Sequence, residues 1–97
     1  MPPFGPAPIT VFVPGVLRDR CGGAPRLSLA AVDVRAALAE IERLHPALHR
    51  SVCDETGAVR RHVNLFVNKD NVRDLEGLDT SLSPGDTLAI LPAVSGG

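Results

Sequence analysis

From Val34 onward, the apolar residues Val34, Ala37, Leu38, Ile41 and Leu44 recur at three- and four-residue spacing, the period of a helix with one buried face. On both sides of this segment the period switches to two. Residues 9–13, ITVFV, set Ile9, Val11 and Val13 against Thr10 and Phe12. Residues 62–68, HVNLFVN, set Val63, Leu65 and Val67 against Asn64, Phe66 and Asn68. An isolated amphipathic helix has nothing to bury its stripe against, and one-sided strands need a cover. The combination restricts the chain to an α+β domain: a mixed sheet of four to five strands with one main helix on one face. At 97 residues there is room for one such core and no second.

The remaining signals fill in this frame. Asp33 is placed to cap the helix, because its carboxylate can accept from the free amides of the first turn. Pro46 ends the regular helix, with room for a final turn over ALHRSV, and CDETGAV is a loop. RLSLA alternates through Leu27 and Leu29 and pairs with the first strand as a hairpin across a long turn-rich connection. SPGD has proline then glycine at the central positions of a type II turn and launches a last strand, TLAIL. Between the last two strands the chain is polar and irregular, with one very short strand expected around Val72. Residues 1–8 hold four prolines and a glycine and read as a mobile lead-in. The expected boundaries are thus a lead-in over 1–8, a folded domain over 9–91 and a flexible tail over 92–97.

Chemistry inside the domain is sparse. The net charge of −1 and scattered arginines provide no basic field for nucleic acid. No stretch approaches a membrane span, and MPPFGPAP lacks the basic start and apolar run of a signal peptide, so the expected location is the cytoplasm. Cys21 and Cys53 form no metal-binding or redox motif and read as reduced thiols, Cys21 in a loop where it could be exposed. His45 and His49 have the spacing of helical metal ligands, but Pro46 interrupts the turn and no third ligand is evident. They read as surface histidines at a helix end. Asp54 and Glu55 belong to a solvated loop, and no phosphate-binding loop is present. The expectation is no catalytic residue in the domain, no metal site and no cofactor bound by this chain.

The chain closes on Gly96 and Gly97, directly behind the last strand. Six residues from Pro92 to Gly97 reach roughly 20 Å when extended. Glycines lack side chains, so such a tail can enter a narrow channel and bring its carboxylate against another protein's backbone.

LSPGDTLAILPAVSGG resembles the C-terminal signature of small ubiquitin-like sulfur carriers. From about residue 9 to 97 the order of strand, VLR loop, Gly-Gly, helix and HVNLFVN strand is similar to the same family. RRHVNLFVNKDNVRDLEGLDT is especially like the carriers that serve cysteine biosynthesis; those of thiamin and molybdopterin synthesis are looser relatives. The resemblance implies a β-grasp fold and a specific use of Gly97. An ATP-dependent, E1-like activating enzyme would adenylate its carboxylate, which then becomes a thiocarboxylate. A sulfur-accepting biosynthetic enzyme would take the sulfur, a pyridoxal-phosphate cysteine synthase being one candidate and a secondary-metabolite enzyme another. ATP would be the partner's cofactor, and Pro92, Ala93, Val94, Ser95 and Gly96 would be the tail threaded into that partner.

Two rival readings stay open beside the carrier: a ubiquitin-like modifier joined through Gly97 to lysines, and a plain interaction domain with an incidental tail. For either tail-based reading, fixing six residues costs on the order of 10 kcal/mol, so a docking surface on the body is needed to offset it. If Val11, Val13, Val63, Leu65, Val67, Leu88 and Ile90 face the helix, then Phe12, Phe66, Ala89 and Leu91 face away and form an apolar patch for a partner.

Overall fold

The structure is a computed structural model that describes residues 6–92. Strand β1 (Ala7–Phe12) leads through a 3₁₀ segment, Gly15–Cys21, to β2 (Arg26–Ala31). Helices α1 (Val34–Leu44) and α2 (Pro46–Val52) follow, then β3 (Val63–Val67), β4 (Asp70–Asn71), two short 3₁₀ turns and β5 (Thr87–Pro92). The strands form one five-stranded sheet in the order β2-β1-β5-β3-β4. Only β1 and β5 run parallel; the other neighbours are antiparallel. With the helices over one face, this is the β-grasp arrangement.

The helix forms where its period and cap coincide. Asp33 Oδ1 accepts from the amide of Ala36 at 2.8 Å, satisfying one of the donors that a helix start leaves unpaired. Val34, Ala37, Leu38 and Ile41 point into the sheet and are buried. They meet Val11, Val13, Val63, Leu65, Val67, Leu88 and Ile90, all buried on the covered face as the alternation requires. Fully burying each aliphatic side chain contributes about 1.5–3 kcal/mol, so this two-layer contact is the main source of stability.

Several boundaries differ from the sequence reading. β1 begins at Ala7, so two residues assigned to the lead-in are strand. Pro8 is tolerated because its nitrogen faces the β5 side before β5 begins, where no donor is needed, while its carbonyl accepts from Gly85 at 2.9 Å. Pro92, assigned to the tail, is the last residue of β5 and lies opposite Val63. Leu44 is 45% exposed, because α1 ends there and the chain turns at His45. Leu48, on a full second helix where only a final turn was anticipated, enters the core instead. Val72 is not in a strand: the short strand is Asp70–Asn71. The Asn71 side chain accepts from the Arg73 amide at 2.9 Å and starts a 3₁₀ turn that buries Val72.

No helix among the described residues is long and apolar enough to cross a membrane.

Candidate functional site

β5 carries the tail, and local chemistry fixes where it starts. Asp86 donates its amide to the Ser83 carbonyl at 3.0 Å, and its carboxylate accepts from the Ser83 amide at 2.8 Å. Gly85 takes φ of 88°, the left-handed value that the third position of a type II turn demands. The amide of Thr10 then donates to the Asp86 carbonyl, fastening the turn to β1. β5 leaves this turn between β1 and β3, in the middle of the sheet, and runs to Pro92. Ala93, Val94, Ser95, Gly96 and Gly97 lie outside the described residues.

The strand register assembles the expected patch. Phe12 on β1 lies beside Ala89 on β5, which in turn lies beside Phe66 on β3. One row thus crosses three strands on the face away from the helices. Leu91, two residues on toward the tail, sits opposite Asn64 and is 38% exposed; the other three are half-buried.

Arginines border this row, and the sequence alone does not single them out. The Arg18 guanidinium lies 5.8 Å from the centre of the Phe12 ring, within cation–π range, and its Nε donates to the Val13 carbonyl. Arg26 is the β2 neighbour of Phe12. Arg73 donates to Asn64 Oδ1 at 2.8 Å and to the Val63 carbonyl, beside Leu91. None of the three is in an ion pair among the described residues, whereas Arg20, Arg35 and Arg43 are. The arrangement can hold an apolar surface with carboxylates at its edge.

The opposite, helical side offers less. His45 is the junction residue between α1 and α2, and its carbonyl accepts from the His49 amide at 3.0 Å, so Pro46, at the first position of α2, does not interrupt the turn between them. His49 is not a surface residue: its side chain is 14% exposed, with Nδ1 4.0 Å from Glu42. Among the described residues, no group of three His, Cys, Asp or Glu side chains is placed to hold a metal. Asp54 organises its loop by accepting from the Thr56 and Ala58 amides, and the Thr56 hydrogen bonds hold its carboxyl below the usual range.

Both cysteines are free and buried, Cys21 included, although its loop position had left exposure open. Cys21 Sγ lies 3.5 Å from the Arg18 and Ala24 carbonyls. Burial, followed by the Asp54 and Glu42 carboxylates, pushes the Cys53 thiol up from 9.0 to about 11. Folding therefore favours the neutral thiol; its contribution is full below pH 9.0 and lost as pH rises toward about 11. We expect neither thiol to react with a disulfide reagent at neutral pH until denaturant is added. Rapid labelling of Cys53 in the folded chain would contradict its placement.

The sequence matches the ThiS family over residues 11–97. The sulfur carrier protein CysO of Mycobacterium tuberculosis is 34% identical over 91 residues, covering 92% of this chain and 98% of that protein. Small archaeal modifier protein 1 of Methanosarcina acetivorans superposes with a TM-score of 0.85 at 32% identity, covering 95% of this chain and 98% of that one. A chain of the Amycolatopsis orientalis BexX/CysO complex gives 0.84 at 34% identity, covering 92% of this chain and 99% of that one. The family match includes the launching turn, the tail-bearing strand and the closing Gly-Gly, and the fold agrees along nearly the whole length of each relative. The chain therefore belongs to the ThiS family of ubiquitin-like sulfur carriers.

Proposed function

We propose that this protein is a sulfur carrier and a co-substrate rather than an enzyme, with the α-carboxylate of Gly97 as its working group. The observation that carries this reading is the family match running through residue 97, together with near full-length similarity to a sulfur carrier protein. A carboxylate resists nucleophiles because its charge is delocalised. In the proposed cycle a carboxylate oxygen attacks the α-phosphorus of ATP on an E1-like activating enzyme, and pyrophosphate leaves. A sulfur nucleophile then attacks the acyl carbon, the C–O bond to AMP breaks, and a thiocarboxylate results. ATP is held by the partner. The uncovered row of Phe12, Ala89 and Phe66, with Leu91 beyond it on β5, is the proposed docking surface, next to the strand end from which the partner must order the tail. Similarity to a chain of the BexX/CysO complex supports a sulfur-accepting enzyme as the second partner, in cysteine or secondary-metabolite biosynthesis. The proposed location is the cytoplasm, where reduced cysteines persist.

The similarity to a small archaeal modifier favours one alternative, conjugation of Gly97 to lysines of other proteins. Both begin with the same adenylate, so the products must separate them. Incubation with ATP, a sulfide source and an E1-like activating enzyme should give the intact-mass change of one oxygen-to-sulfur exchange. An adenylate without sulfur uptake, with Gly97 recovered on lysines in cells, would move the assignment to the modifier.

A further inference from the structure

β2 is an edge strand, and its hydrogen-bonding parity can be read from its neighbour. Val13 donates to the Pro25 carbonyl at 2.9 Å, which makes residues 13 and 25 a hydrogen-bonded pair. In an antiparallel ladder such pairs alternate, so Leu27, Leu29 and Ala31 turn their amides and carbonyls toward β1. Arg26, Ser28 and Ala30 turn theirs outward. None of these outward groups has a backbone or side-chain partner among the described residues. The opposite edge, β4, has only two residues, whereas β2 has six, contains no proline and carries a charge only at its first position. Short strands, prolines and charges are the usual protections of an edge, and β2 largely lacks them.

We propose that this edge pairs with the β2 edge of a second copy, antiparallel, about a two-fold axis through Ser28. The register is self-consistent. Ser28 faces Ser28 of the second copy, and Arg26 faces Ala30 on either side, so no like charges are opposed. Three outward residues on each strand, each with one N–H and one C=O, close into six hydrogen bonds with no group left over. The same register sets Leu27 directly against Leu29 of the second copy. Both leucines are only partly buried in the monomer, on the helix side of the sheet, and would cover each other. A net charge of −1 offers little resistance to self-association. The resulting sheet is continuous across both copies. Because the axis is perpendicular to it, both Phe12–Ala89–Phe66 rows face the same side, while the two β5 strands point their ends in opposite directions.

A strand-to-strand contact of this length is at the small end of specific interfaces, so the dimer is weak and concentration-dependent. Sedimentation velocity or diffusion NMR on the full chain up to about 1 mM reads it directly, covering even millimolar affinity. The wild type should shift toward twice the monomer mass with rising concentration. Ser28→Lys and Ser28→Glu should each stay monomeric at every concentration, since each sets like charges across the axis. An equal mixture of the two should associate again, because lysine then faces glutamate. Their side chains lie on the exposed face, and unchanged circular dichroism and melting would confirm that folding is intact. A wild type that remains monomeric at about 1 mM overturns the proposal. So does association that survives Ser28→Lys, or a mixture that fails to associate.

Discussion

Deleting Gly96 and Gly97 is expected to abolish thiocarboxylate formation while leaving the melting curve where it was. The buried core ends within β5, at Ile90, so the deletion removes no core contact among the described residues. Changes away from the core, caps and buried polar groups typically stay within about ±0.5 kcal/mol. The chemical effect is of another order. Adenylation is positional: the reacting oxygen must arrive at the α-phosphorus in a near-attack geometry, and misplacement by about 1 Å can cost 10²-fold. Shortening an extended tail by two residues moves its carboxylate back by roughly 7 Å. Intact mass after incubation with ATP, sulfide and the activating enzyme reads the loss, and a thermal melt provides the control. A truncated chain that still takes up sulfur would remove Gly97 from the mechanism. Gly96→Val separates length from width. It keeps the carboxylate at the same reach but adds a branched side chain, and it should also fail if the tail passes through a narrow channel.

The sequence discloses the two layers and the turn that launches β5 because each depends on short-range pattern. Period two over residues 9–13 and 62–68, period 3.6 over 34–44, the Asp33 cap and the SPGD turn are all decided by neighbours within a few positions. What it conceals is decided at long range or in segments too short to have a period. A two-residue strand such as β4 cannot display alternation. Pro8 reads as a breaker until the sheet shows that no donor is needed there. Leu44 fits the helical stripe, yet the turn at His45 leaves it outside and brings Leu48 into the core. The candidate surface divides the same way. Alternation places Phe12, Phe66, Ala89 and Leu91 on one face, but only the register sets Phe12, Ala89 and Phe66 in one row with Leu91 two residues further along β5. Arg18, Arg26 and Arg73 come from three separate segments, and nothing local in the sequence marks them as a border. The role proposed for Gly97 comes from the family signature, since a pair of glycines has no periodicity of its own.

Adjacent residues on β3 should separate stability from binding. Leu65 is 1% exposed and faces α1, whereas Phe66 points to the uncovered face and is half-buried. Truncating Leu65 to alanine removes buried methyl groups and leaves a cavity, a change that costs about 2–5 kcal/mol in comparable cores. A domain of this size holds roughly 5–15 kcal/mol in total. At about 4–8 °C per kcal/mol, the midpoint should fall by roughly 8–40 °C. Below that midpoint the sheet still presents Phe12, Ala89 and Phe66 in register, so affinity for the activating enzyme should be nearly unchanged. Phe66→Ala reverses the balance. It removes no fully buried group, and its cost in stability should be about 1 kcal/mol, the ordinary size for a single substitution. If the row is the docking surface, loss of one of its two phenylalanines should weaken binding by about 2 kcal/mol or more, a factor of roughly 30. Urea unfolding and titration calorimetry on the two variants test both halves at once. The docking assignment fails if Phe66→Ala binds like the wild type. The two-faced reading of the sheet fails if Leu65→Ala, folded and cold, loses as much affinity as Phe66→Ala.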